Sequence, residues 1–307
     1  MNKKYSELAE LFRSEKTDEE ILDFLLNYHK NDIADMMAGM TEEERKRLYH
    51  LLGAQKVAEI FKYIEEPRKY IRELSVESAA RVISEMDSDD AVDLLEDLDP
   101  EEKEQIVRML DEDAKKDVKM LLSYDEEEIG SCMTTNYICI PENLTIRQAM
   151  SELVKQAGEN DNIMTIYVVD EKGVFAGAID LKDLIRAREN AHLEDLVLKS
   201  YPYVTDHEKI DDCMDRILDY AEDSIPVLSE DKKILGVITS EDLIEMVDNE
   251  MGEDYAKLAG LTAEEDLKEP TLQSMKKRLP WLIILLFLGM GVSSVVGIFE
   301  SVVAVLP

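Results

Sequence analysis

The 307-residue chain is poor in the residues that build familiar reaction centres. Its three cysteines, Cys132, Cys139 and Cys213, are scattered and form no Cys-x-x-Cys pair. An odd, dispersed set reads as reduced, mostly buried thiols of a cytosolic protein, not as zinc ligands or a disulfide framework. The four histidines, His29, His50, His192 and His207, are isolated and form no His-Glu-x-x-His motif. There is no P-loop, no Asp-x-Asp-x-Asp-Gly calcium loop and no nucleophile beside a base, so the chain does not read as an enzyme. Positive charge is scarce as well. With 35 Lys+Arg against 69 Asp+Glu, the formal charge is −34. Phosphate backbones are bound by basic surfaces, which excludes nucleic acid as a partner. No secretory signal opens the sequence.

What the chain has in excess is carboxylate. The stretch "SEDLIEMVDNEMGEDYAKL" (residues 240–258) holds seven acids against the single base Lys257. Like charges three or four residues apart on a helix, such as Asp242 and Glu245, cost a few tenths of a kcal/mol each. An acidic run is ordinarily just a solvated face, but a field this one-sided also concentrates cations.

Residues 1–128 read as helical throughout. Amphipathic segments such as "MTEEERKRLYHLLG", "VESAARVISEM" and "DSDDAVDLLEDLDPEEKEQIVRMLDEDAKKDVKMLL" are separated by acidic turns. Thr41, Ser75 and Asp99 or Pro100 are helix-start positions, with acids in the first turn favoured by the macrodipole. Leu94, Leu95, Leu98, Ile106, Leu110 and Leu121 supply an apolar stripe. A stack of short helices resembling an α-solenoid is expected.

An internal repeat follows. "IYVVDEKGVFAGAIDLKDLI" (166–185) and "IPVLSEDKKILGVITSEDLI" (225–244) align without a gap. Identical residues recur at 166/225, 168/227, 171/230, 177/236, 179/238, 183/242, 184/243 and 185/244. Each unit reads as strand, acidic turn, strand, glycine and then a helix starting near the Asp, with another helix upstream. Two β-α-β-β-α units in tandem predict an α/β module whose halves pack on each other.

The C-terminus is different again. "WLIILLFLGMGVSSVVGIF" (281–299) contains no charge, and the apolar character continues past Glu300. About 26 residues at helical rise span roughly 39 Å, enough for a hydrocarbon core of about 30 Å with some tilt. A buried core helix is the alternative. Lys276, Lys277 and Arg278 immediately before the segment place the preceding residues on the cytoplasmic side. Small residues such as Gly289, Gly291 and Ser293 allow other helices to approach. One spanning helix cannot enclose a pore, so transport requires partners or further sequence.

The repeated units resemble a tandem CBS domain, or Bateman module. In that family a Gly-x-x-Thr-x-x-Asp signature supplies Thr and Asp to an adenine nucleotide. Gly236, Thr239 and Asp242 match it in the second unit. The first has Gly177, Asp180 and Asp183, and the acid in place of Thr would repel a phosphate. The complete order, including "EEIGSCMT" (127–134) and "SSVVGIFES", resembles the MgtE family of magnesium channels and transporters.

That resemblance implies an α plus α/β multidomain fold: an acidic helical N domain (1–128), CBS 1 (129–190), CBS 2 (191–250), a connecting helix (251–279) and a first transmembrane helix (280–307). Family members continue through further membrane helices, so the chain is expected to be the amino-terminal part of a longer protein. The implied protein is a homodimer in the cell membrane, with residues 1–279 cytoplasmic. The implied ligand and cargo is Mg²⁺, with Mn²⁺ or Co²⁺ as further candidates and ATP as a second ligand. Residues falling at the family's metal positions are Asp89, Asp93, Asp242, Glu245, Glu250, Glu253 and Asp254, joined by Glu59 and Asp211. Ala221 stands where some members carry an acid. The expected mechanism is closure by Mg²⁺ bridging acidic domain faces. An adenine-nucleotide sensor attached to another membrane protein is the competing expectation.

Overall fold

The computed structural model describes residues 12, 17–64, 66–158, 160–188, 191–247, 279, 283–294 and 296–297. The chain divides into two units, Met1–Ser240 and Glu241–Pro307.

Among the described residues, eight helices precede the repeats in the first unit: α1 (Asp18–Leu25), α2 (Lys30–Met37), α3 (Glu42–Phe61), α4 (Pro67–Ile71), α5 (Val76–Ser84), α6 (Ser88–Glu96), α7 (Pro100–Met109) and α8 (Glu112–Leu121). Their starts follow cap chemistry. Thr41 accepts from the Glu44 N–H while the Glu44 carboxylate accepts from the Thr41 N–H, closing a capping box. Ser75 caps α5. Asp99 is the N-cap of α7 and Pro100 its first helical residue, which decides between the two expected start positions. α3 is kinked at Gly53, whose φ of 77° lies in the left-handed region. Helices pack mostly on their next-but-one neighbours, α1 on α3, α3 on α5, α5 on α7 and α6 on α8, the pattern a superhelical stack makes. The whole expected stripe Leu94, Leu95, Leu98, Ile106, Leu110 and Leu121 is buried. A charge pair is buried inside this domain. The Arg45 guanidinium donates to Glu73 (Nε to Oε2, 2.9 Å) and to the Met37 carbonyl at 3.3 Å, which satisfies a cation that burial would otherwise penalise.

The two repeats follow. The first comprises β1 (Ile138–Pro141), α9 (Ile146–Gln156), β2 (Thr165–Val169), β3 (Phe175–Asp180) and α10 (Leu181–Arg186). The second comprises β4 (Val204–Thr205), α11 (Ile210–Leu218), β5 (Ser224–Leu228) and β6 (Ile234–Thr239); residues 240–247 are helical and from Glu241 belong to the second unit. Each sheet has three strands, the first parallel and the third antiparallel to the second. The repeat carries even its irregularities. Val168 pairs with Gly177 and Val227 with Gly236, and a register shift follows at Val168/Val169 and again at Val227/Leu228.

β2 shows why these strands read as continuous apolar runs. Ile166 and Val168 enter a core with Ile138, Ala149 and Leu153 of their own repeat. Tyr167, on the opposite face, meets Ala178, Tyr201 and Val237. A strand covered on both faces has no polar side to alternate with.

The signature glycines sit differently from expectation. They lie within β3 and β6 instead of after them. A Cβ on Gly177 would stand 2.6 Å from the Leu198 carbonyl oxygen, and one on Gly236 would stand 2.7 Å from that of Thr134. Each repeat's third strand is thus bridged by the segment leading into the other repeat: Thr134 pairs with Val237 and Leu198 with Ala178. Only glycine lets backbone come this close. The cysteines are free, but only Cys213 is buried, while Cys132 and Cys139 are half-buried. Burial pushes the Cys139 thiol up to about 11.

In the second unit, residues 279, 283–294 and 296–297 are helical, and apolar side chains there, such as Leu286, Phe287 and Leu288, are exposed. Among the described residues no helix is long and apolar enough to cross a membrane. Apart from residue 279, the expected connecting helix (251–279) lies outside the described residues, as do parts of the expected span (280–307).

Candidate metal-binding groove

A groove of about 630 Å³ opens where α5, α6 and α8 meet the start of the first repeat. Eight of its twenty described lining residues are Asp or Glu and none is Lys or Arg; the acids include Glu59, Asp87, Asp111, Asp113, Asp117 and Asp161. The local sequence explains how so many gather. Asp87 and Asp111 are the N-caps of α6 and α8, and Glu112 and Asp113 form the first turn of α8. Asp111 accepts from the Ala114 N–H at 2.9 Å. Acids at helix starts are favoured individually by the macrodipole, so two neighbouring starts crowd carboxylates without an immediate local penalty.

Polar bonds join the helical domain to the first repeat along this groove. The Thr135 N–H donates to Ser88 Oγ at 2.9 Å and its hydroxyl to Asp117 Oδ2 at 2.8 Å. Asn136 Nδ2 donates to Asp87 Oδ1 at 2.7 Å, while its own Oδ1 accepts from the Asp161 N–H at 2.9 Å. Lys62 Nζ approaches from the helical side, 2.5 Å from Asp87 Oδ2 and 3.5 Å from Asp90 Oδ2. Burial pulls the Lys62 pKa down, but Asp87, Asp90 and Asp89 outweigh it, and the net shift is upward. The ammonium therefore stays charged and holds part of the acidic field in check.

The sequence-derived candidates distribute unevenly. Glu59 lines the groove and pairs with Lys30 at 2.9 Å. Asp89 and Asp93 stand one turn apart on α6, half-buried and exposed respectively, and neither lines the groove. Asp211 is exposed in the first turn of α11. Asp242 and Glu245 belong to the second unit, half-buried and exposed. Glu250, Glu253 and Asp254 lie outside the described residues. Among the described residues no three His, Cys, Asp or Glu converge to hold one ion by themselves. Of the nucleotide-signature residues, Gly236 is buried inside β6 and Thr239 ends that strand, half-buried, opposite Ser224. Ala221 has φ of 51°, a left-handed conformation unusual for a residue with a Cβ.

Sequence reasoning missed Asp87, Asp111, Asp113, Asp117 and Asp161. Asp87, Asp111 and Asp113 were present as helix-start acids, which a capping role accounts for completely until the fold sets two starts side by side; Asp117, within α8, and Asp161, in a loop, carried no signal of their own.

Known proteins share this order of domains. The description "MgtE intracellular N domain" matches residues 28–127, and "CBS domain" matches 127–190 and 193–249. A magnesium transporter MgtE of Enterococcus faecalis is 38% identical over 308 aligned residues, which cover 99% of this chain and 68% of the relative. The crystal structure of the soluble part of a magnesium transporter superposes with a TM-score of 0.76 at 30% identity, covering 80% of this chain and 98% of that one. The cytosolic domain of the Mg²⁺ channel MgtE, solved in complex with ATP, gives 0.70 at 26%, covering 78% and 99%. The chain belongs to the MgtE family of magnesium transporters and carries an intracellular N domain followed by two CBS domains.

Proposed function

We propose that this chain is the cytosolic Mg²⁺-sensing and gating part of a membrane Mg²⁺ transporter, and that Mg²⁺ holds it closed by bridging acidic faces. The carrying observation is the groove between the helical domain and the first CBS repeat, with eight carboxylates and no cation among its described lining residues. Mg²⁺ keeps several of its waters and is bound through one or two carboxylates, so a site for it needs no three-residue cage. Two like charges about 6 Å apart repel by roughly 3 kcal/mol at an effective dielectric near 20, before screening. Relief of several such pairs is on the scale of a few kcal/mol that shifts a two-state equilibrium. In this reading Asp89, Asp93, Glu59 and Asp211 act with the acids of 242–254, and residues 1–279 lie on the cytoplasmic side of a homodimer. Domain boundaries near 128, 190 and 250 follow the same reading, and Mn²⁺ and Co²⁺ are candidate substitutes for Mg²⁺.

ATP is a second ligand in this proposal, taken by the second repeat alone. Thr239 ends β6, whereas Asp180 occupies the equivalent position of β3 and would repel a phosphate. The ATP complex of the related cytosolic domain supports the ligand class.

Hydrogen exchange of the full chain with and without millimolar-range Mg²⁺ tests the gating reading. Added Mg²⁺ is expected to slow exchange in α6 and α8, and the combined Asp113→Asn and Asp161→Asn change is expected to weaken that response severalfold. An unchanged exchange profile on adding Mg²⁺ would sink the reading.

A further inference from the structure

The segment leaving α8 does not run straight into the first repeat. It lies across the second. The Ile129 N–H donates to the Glu208 carbonyl at 2.8 Å, Gly130 N–H to that of Asp206 at 2.9 Å, and Ile210 N–H to that of Glu127 at 2.9 Å. Side chains reinforce this seam. The Tyr124 hydroxyl donates to Asp206 Oδ2 at 3.1 Å, and Lys209 Nζ lies 2.7 Å from Glu127 Oε2.

His207 sits at the centre of these contacts. Its Nδ1 is 2.9 Å from Glu128 Oε1 of the linker, and its Nε2 is 3.9 Å from Asp206 Oδ2 of its own repeat. The Tyr124 ring centroid is 5.3 Å from that of the imidazole. Glu230, from the β5–β6 turn, adds a third negative charge to its field. Asp206 is only 8% exposed, whereas the His207 side chain is 61% exposed and open to solvent protons. Neither the expected metal chemistry nor the nucleotide signature uses any of these groups.

We propose that His207 is a proton-operated clasp: as the imidazolium it bridges Glu128 of the linker and Asp206 of the second repeat, and on losing its proton it loosens that tie. The clasp fixes the linker and hence α8, whose first turn lines the acidic groove. A neutral imidazole has one N–H, so it can donate to one carboxylate only and turns a lone pair toward the other. Losing the proton also removes the imidazolium's ion-pair attraction to both carboxylates, leaving a neutral donor. The bond to Glu128, followed by the nearby charge of Asp206, raises the His207 pKa above its ordinary value. A raised folded-state value means the contribution is complete below about pH 6.5 and disappears as pH rises through the folded value. The physiological consequence, pH-dependent coupling of the helical domain to the CBS pair, rests on domain closure being the regulated step.

The test is hydrogen exchange on the full chain in Mg²⁺-free buffer between about pH 6 and pH 8.5, corrected for intrinsic rates, across the histidine titration range. Protection of residues 124–134 is expected to fall severalfold as pH rises, while α3 stays constant and controls for global unfolding. His207→Gln should leave the segment weakly protected at every pH, and Glu128→Gln should move the transition to lower pH. A flat wild-type profile, or a slope that survives in His207→Gln, would overturn the clasp. Adding Mg²⁺ at fixed pH separates the two ideas. A retained Mg²⁺ response with no pH slope rejects the clasp alone, and a retained slope with no Mg²⁺ response rejects only the gating reading.

Discussion

The two CBS repeats share a fold to the level of a β-bulge yet differ where chemistry enters. Positions facing each repeat's own core are repeated, as with Ile166/Ile225, Val168/Val227 and Ile179/Ile238, each at most 1% exposed. Other positions diverge, among them one in the seam, one in the turn and one at the end of the third strand. Tyr167, whose hydroxyl lies 2.6 Å from Ser224 Oγ in the buried seam between repeats, corresponds to Pro226. Gly173, with φ of 78°, corresponds to Lys232 with φ of 59°. Asp180 corresponds to Thr239. The repeats agree in packing and differ at the seam, the turn and the proposed nucleotide position, because only packing is constrained identically in both copies.

Substitutions at paired positions test how far this equivalence goes. The largest effect is expected at the glycines inside β3 and β6. Gly177→Ala should cost about 3 kcal/mol, since a Cβ meets the Leu198 carbonyl and φ is 147°. Gly236→Ala, crowded by Thr134 at no positive φ, should cost about 2 kcal/mol in urea unfolding. Equal losses would show that the close approach, not the backbone angle, dominates.

Tyr167→Phe should cost about 1–2 kcal/mol by stripping the buried Ser224 hydroxyl of its partner. Pro226 can supply no corresponding bond, so the asymmetry is itself checked by comparing unfolding midpoints of Tyr167→Phe and of Tyr167→Phe combined with Ser224→Ala. The double variant should recover part of the loss.

At the turns the expected sign reverses between repeats. Lys232→Gly should stabilise by roughly 0.5–1 kcal/mol, because it removes a Cβ from a left-handed position. Gly173→Lys should destabilise by a similar amount. Thermal melts that move in the same direction for both would refute the turn equivalence.

The smallest effect is acid-dependent. Asp170 accepts from the N–H groups of Val174 and Lys172 at 2.9 and 2.8 Å, and these bonds hold its carboxyl below the ordinary value. Its contribution is present above the unfolded value and lost as pH falls through the lowered one. Ser229 takes its place in the second repeat. Asp170→Ser should therefore reduce the acid sensitivity of the first repeat's turn, read as amide exchange at residues 172–174 below about pH 4.

Much of the fold was legible in the sequence, for reasons visible in particular residues. Thr41, Ser75 and Asp99 mark helix starts because a side-chain oxygen near an unpaired N–H is a local event. The gapless repeat marked two strands around an acidic turn in each unit, whereas their registers and the burial of β2 on both faces appear only in the structure. The glycines were legible as special but not as strand residues, because their reason is a carbonyl from a distant segment. The groove was the least legible part. Among the described residues Glu59 is the one expected ligand that lines it, while Asp111 and Asp113 at one helix start and Asp161 in a distant loop each read as ordinary helix-start or loop acids.

The sequence by itself determined the acidic charge, the helical N domain, the doubled α/β unit and the family to which the chain belongs. These follow from local chemistry and from a pattern repeated along one dimension. Tertiary structure decided which carboxylates face one another, that Lys62 restrains Asp87 and Asp90, and that the linker from α8 crosses the second repeat to meet His207. Repulsion and attraction between charges depend on distance through space, and residues 128 and 207 acquire theirs only when the chain folds.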